Sequence, residues 1–94
     1  VAMQKAESPA TMMILAILRD RSDQADQLIQ KGINVCWRDI LGDTFLHHAA
    51  ACARLVIAQQ LLDAGADINA ISFDGRTPFL QAIRFHHPEF AHWL

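Results

Sequence analysis

The stretch that decides the fold runs from Gly42 to Ala70, "GDTFLHHAAACARLVIAQQLLDAGADINA". It sets two histidines, His47 and His48, side by side in front of three alanines. Whether they serve chemistry or architecture depends on whether the stretch is unique in the chain. It is not. One constant displacement along the chain superposes Thr11, Thr44 and Thr77, then Ala16, Ala49 and Ala82. The same displacement superposes Ala25, Ala58 and Ala91, and Leu28, Leu61 and Leu94. Gly32 falls on Gly65, and Gly42 on Gly75. Coincidences that share one register mark a tandem array.

One unit can be read from its punctuation. Thr44 suits a helix N-cap, because its hydroxyl can accept a bond from an otherwise orphan backbone N–H. Leu46, Ala49 and Ala50 follow it, which predicts a short helix with a small buried face. Leu55, Ala58, Leu61 and Leu62 then recur at helical spacing, and Gly65 ends that second helix. "ADINAISFDG", residues 66–75, carries hairpin-like turn chemistry, with Asp74-Gly75 just before Thr77. The unit is therefore turn, short helix, longer helix and extended return, and its alanines let neighbouring units approach closely.

This pattern resembles the ankyrin repeat. "DILGDTFLHHAAACARLVIAQQLLDAGADINA", residues 39–70, follows the family's 33-residue period and its T-P-L-H-x-A signature, with Phe45 in place of proline. "GRTPFLQAIRFHHPEFAHWL", residues 75–94, keeps the Thr-Pro and the alanine but has Leu80 where the histidine falls. "ATMMILAILRDRSDQADQLIQKGINVCWRD", residues 10–39, is the most divergent unit. The resemblance implies an all-α repeat fold: an ankyrin-repeat solenoid of stacked helix–turn–helix units joined by hairpin-like loops. It would form a single domain over residues 1–94, with repeats at about 6–38, 39–71 and an incomplete 72–94. It also implies that His47 bonds the motif threonine and the backbone of an adjacent hairpin. His87 matches a second recurrent structural histidine, while His86 replaces a glycine and strains or reshapes the turn between helices.

Composition narrows the function. The chain has 94 residues, 52% hydrophobic and 19% charged, which suits one small globular domain. A formal charge of −2 gives no footprint for nucleic acid or an anionic membrane. No apolar run approaches a membrane span and the N-terminus lacks a signal-peptide layout. Cys36 and Cys52 make no disulfide framework and read as free thiols, which places the protein inside a cell, cytoplasmic or nuclear, or in a host cytoplasm for an effector. His86, His87 and His92 have no acidic or cysteine partner near in sequence for a zinc site. Cys52 and His47 lie at a spacing that points them in different directions on a short helix. We therefore expect no catalytic, cofactor or metal residues and no enzyme.

Arrays of this family work by binding protein partners on hairpin tips and first helices. Carried over in register, the contact positions are Arg38, Ile40, Leu41, Asp43 and Cys52 in the second unit. In the third they are Ile71, Phe73, Asp74, Arg76, Arg84 and Phe85. Ile40, Leu41, Ile71 and Phe73 form an apolar cluster with a charged rim, as at a protein interface. Trp37 reads as a plug at the edge of the first hairpin. Asn69, in "LLDAGADIN", resembles ankyrin asparagines that are hydroxylated by an asparaginyl hydroxylase. Apolar Phe90, Trp93 and Leu94 suggest a piece of a longer array, or self-association through the unfinished C-terminal repeat. The leading expectation is a non-enzymatic interaction module. The alternatives are the substrate-recruiting arm of a larger enzyme or effector, or an inhibitor of Rel transcription factors of the IκB type.

Overall fold

Six helices form three pairs joined by hairpins in the computed structural model, which describes residues 8–94. The helices are α1 (Pro9–Arg19), α2 (Ser22–Gln30), α3 (Phe45–Cys52), α4 (Leu55–Asp63), α5 (Pro78–Arg84) and α6 (Pro88–Trp93). Consecutive pairs α1/α2, α3/α4 and α5/α6 make three units, stacked so that α3 lies between α1 and α5. Residues 6 and 7, at the expected start of the first repeat, lie outside the described residues. Among the described residues there is no β-strand, and one isolated bridge joins Arg38 to Thr44 at the base of the hairpin before α3. Among the described residues no helix is long and apolar enough to cross a membrane.

The first helices start where short polar side chains can cap them. Thr44 accepts from the His47 N–H, and the His47 ring accepts from the Thr44 N–H in return, so histidine completes a reciprocal capping box. Thr77 caps α5 by accepting from the Leu80 N–H, with Pro78 at the first helical position. The first unit departs from the threonine column. Ser8 caps α1 and Pro9 occupies its first position, so Thr11 lies inside the helix, in its first turn. The Ser-Pro pair is the stronger start signal and lengthens α1 to 11 residues, against 8 in α3.

Each unit makes the same strained turn between its helices. Asp20, Ala53 and His86, spaced by one repeat length, have φ of 55°, 56° and 63°. The next residue's N–H reaches five residues back, from Arg21 to Ala16 O, Arg54 to Ala49 O and His87 to Ala82 O, at 2.8–2.9 Å. This is the Schellman closure, in which glycine is usual because a Cβ is disfavoured at positive φ. His86 thus keeps the shape of the turn and bears its strain.

The alanine columns are the close helix contacts. Ala16, Ala49, Ala82, Ala25 and Ala58 are fully buried, and Ala91 nearly so. Met13, Ile17, Leu46, Ile57 and Leu61 fill the space between them. The junction of the first two units is sealed differently from the next. Trp37 stacks on Phe45 with ring centroids 4.9 Å apart and an interplanar angle of 18°. Phe45 stands at the proline position of the motif, so replacing that proline supplies the surface on which Trp37 closes the first hairpin.

Because His86 is exposed and makes no side-chain hydrogen bond among the described residues, His86→Gly relieves the turn without removing a hydrogen bond. Thermal unfolding should show stabilisation of about 0.5–1 kcal/mol. A lower melting temperature would show that the turn is not strained.

Candidate interaction surface

The imidazole of His47 is fully buried and both of its nitrogens are engaged. Nδ1 accepts from the Thr44 N–H at 3.1 Å and lies 2.9 Å from the Thr44 hydroxyl. Nε2 lies 2.7 Å from the carbonyl oxygen of Arg76, in the hairpin of the next unit. A carbonyl only accepts, so the proton sits on Nε2 and the ring is neutral. Burial pushes the His47 pKa below its ordinary 6.5, and nearby Arg38 and His48 add to this against the opposing pull of Asp43 and Asp39. No lone pair is left for a metal or a proton relay. His47 is architecture.

That bond sets the two hairpins side by side. In the first of them Asp39 Oδ1 accepts from the N–H groups of Leu41 and Asp43, both at 2.9 Å. In the second, Ser72 fills the same column and its hydroxyl accepts from the Arg76 N–H at 3.1 Å. The tips then bond to each other. The Phe73 N–H donates to Leu41 O at 3.1 Å, and Arg38 Nη1 donates to Gly42 O at 2.8 Å and Ile71 O at 2.6 Å. Gly42 is required twice, by its φ of 81° and by Phe73, whose Cδ1 would lie 2.6 Å from any Cβ there.

The result is one ridge whose outward side chains are apolar. Ile40 is 91% exposed, Phe73 75%, Leu41 64% and Ile71 57%. Arg76 pairs with Asp74, which also accepts from Ser72, so those two charges are mutually engaged. Arg38 is committed to carbonyl oxygens and acts as a tie between the tips. Asp43 is half-buried and stands at the base of the ridge. On the helices, Cys52 is half-buried against the core, and the Arg84 guanidinium sits 5.6 Å from the ring centroid of exposed Phe85. Asn69 is exposed in the return loop, its N–H donating to Asp67 Oδ1 at 2.9 Å.

Two sets of contacts go beyond what the sequence reading reached. Arg54 donates to Ile17 O at 2.8 Å and Leu18 O at 3.0 Å, and His87 donates to Ala51 O at 3.0 Å. Arg54 and His87 are one repeat apart, as are their acceptors Leu18 and Ala51, so one device ties each unit to the one before. The spacing was the available signal. His48 Nε2 lies 2.8 Å from Asp39 Oδ2. Burial pushes the Asp39 carboxyl up, but hydrogen bonds from His48 and from the N–H groups of Asp43 and Leu41 outweigh it and hold it below its usual value. Among the described residues Asp39, Asp43 and His48 are the one set of three metal-capable side chains with ligand atoms within 4.8 Å.

The family model for ankyrin repeats matches residues 12–94 in three copies. The chain belongs to the ankyrin-repeat family. Ankyrin repeats are in general protein–protein interaction modules and typically non-enzymatic. The chain is 33% identical over 75 residues to mouse "Ankyrin repeat and SOCS box protein 6", covering 78% of this chain and 18% of that protein. A "Putative ankyrin repeat protein" of Rickettsia bellii (strain RML369-C) is 35% identical over 78 residues, 81% of this chain and 43% of that protein. "Tyrosine-protein kinase HTK16" of Hydra vulgaris is 36% identical over 69 residues, 73% of this chain and 9% of that protein. The chain thus spans less than half the length of each of these relatives.

The buried neutral ring predicts a pH dependence in metal-free buffer. Unfolded, His47 takes up a proton near 6.5, whereas folded it resists protonation. Its contribution to stability is full above that pH and is lost as pH falls below it. His47→Gln should destabilise by about 1–3 kcal/mol at pH 7 and flatten the fall between pH 7 and 5. Denaturant unfolding across that range checks both, and a variant with an unchanged pH slope would contradict the assignment.

Proposed function

We propose that the chain is a non-enzymatic module that docks a protein partner on its hairpin tips and the adjoining first-helix face. The observation that carries this reading is the ridge of Ile40, Leu41, Ile71 and Phe73. Its backbone is bonded across two units while its apolar side chains face solvent. Ordering that ridge on binding costs little further entropy, because hydrogen bonds already fix its backbone. Exposed apolar side chains beside engaged charges have the make-up of an interface centre with a polar rim. Arg84 and Phe85 extend the same surface along the first helices.

A second reading is the recruiting arm of a larger protein. It is favoured by the names of two relatives, one of which joins ankyrin repeats to a SOCS box and another of which is a tyrosine-protein kinase. In that setting the ridge selects the substrate or regulator while chemistry resides elsewhere. Self-association finds support on the outer side of α5. Phe79, Leu80 and Ile83 are exposed there, while Leu46, His47 and Ala50, one repeat earlier, are fully buried.

The test compares the native chain with the double variant Ile40→Lys, Phe73→Glu, shown by circular dichroism to be equally folded. In affinity capture from a lysate of the source cells, partners held by the native form should be lost from the variant. Equal capture by both would move the interface off the tips. Light scattering on the same two proteins reads self-association, which would leave the variant's mass unchanged if it uses the outer side of α5.

A further inference from the structure

We infer that Asp39, Asp43 and His48 form a binding site for one divalent transition-metal ion of the zinc class at the base of the hairpin before α3. The inference is independent of the partner reading. It rests on three donors of suitable chemistry, brought by two segments to within 4.8 Å of one another. An imidazole with two carboxylates suits zinc, cobalt or nickel, whereas magnesium and calcium prefer all-oxygen sets. Three protein ligands leave coordination positions for water.

The geometry is partly prepared. Asp39 Oδ1 is held by the N–H groups of Leu41 and Asp43, which fixes the carboxylate and aims Oδ2 at the His48 ring 2.8 Å away. Metal-ligating carboxylates are oriented by hydrogen bonds of this kind. His48 is in the first turn of α3, beside His47, whose ring anchors that turn to the next hairpin. The Asp43 carboxylate makes no hydrogen bond or ion pair among the described residues, although it is half-buried. Nearby Arg38 directs its Nη1 to the carbonyl oxygens of Gly42 and Ile71, so this donor does not occupy the carboxylates.

Bond lengths decide how much must move. Ligand bonds of about 2.0–2.2 Å in a tetrahedron place ligand atoms roughly 3.3–3.6 Å apart. Atoms that lie within 4.8 Å of one another therefore close by at most about 1.5 Å, within reach of side-chain rotation. The His48–Asp39 hydrogen bond is exchanged for two metal bonds. In a neutral ring the proton leaves Nε2 for Nδ1 as the metal takes the Nε2 lone pair, so the ring keeps its proton. The site was not legible from histidine spacing, because its acids come from the hairpin rather than from the same helix.

The test is calorimetric titration of the chain with zinc chloride, with cobalt(II) absorption to identify the ligands. One equivalent should bind, and the cobalt form should show no thiolate charge-transfer band, which separates this site from Cys36 and Cys52. His48→Ala and Asp43→Asn should each weaken binding at least about tenfold, and His86→Gly should leave it unchanged. Asp43→Asn preserves shape and breaks no hydrogen bond among the described residues, so it carries the test if His48→Ala unfolds. Absence of binding, binding that survives Asp43→Asn, or a thiolate band that disappears with Cys36→Ser would overturn the assignment.

Discussion

A neutral imidazole between two units sets the geometry of the middle of this protein. His47 accepts the N–H at its own helix start and donates to the Arg76 carbonyl of the following hairpin. One side chain therefore caps α3 and fixes where the next unit begins. With that register set, Phe73 lies over Gly42, its N–H reaches Leu41 O, and Arg38 spans the two tips. The exposed ridge is a consequence of this buried bond. A ring whose both nitrogens are engaged also explains why the pair of histidines is asymmetric in role: His47 is buried in the lock, and His48 faces the hairpin carboxylates.

The other junction shows how an array tolerates a missing lock. Ile14 stands one repeat before His47 and cannot donate, and the first hairpin is closed instead by Trp37 stacked on Phe45. Arg54 and His87 supply further ties, each donating to the end of the preceding first helix, and Gln60 adds one between the second helices by donating to Ser22 O. Leu18 O and Ala51 O are orphan acceptors of a helix C-terminus, so satisfying them from the next unit couples helix capping to stacking. In repeat proteins stability is approximately a sum of unit and nearest-neighbour terms. Here the neighbour terms come from alanine-mediated helix contact plus these few polar ties.

The fold was legible because its signals are periodic. Threonine, alanine, leucine and glycine columns gave helix starts, close contacts and helix ends, and the structure bears out an all-helical ankyrin array. Where a local signal competed with the column, the local one won: Ser8-Pro9 starts α1 ahead of Thr11. The left-handed column of Asp20, Ala53 and His86 was half visible, since only His86 was read as a departure from glycine. The surface was harder to read. Exposure of Ile40 and Phe73 follows from hairpin position. The commitment of Arg38 to two carbonyls and the approach of His48 to Asp39 depend on side-chain directions that no spacing encodes. Binding at the tips is supported by that exposure and by the family's general role.

The most direct test of the central claim is heteronuclear NMR of the His47 ring. The His47 lock requires the Nε2–H tautomer, a ring proton in slow exchange with solvent, and a coupling across the hydrogen bond to the Arg76 carbonyl carbon. A proton on Nδ1, or an Nε2 proton exchanging as fast as those of exposed His86 and His92, would contradict it. The two hairpins would then owe their register to something other than this bond.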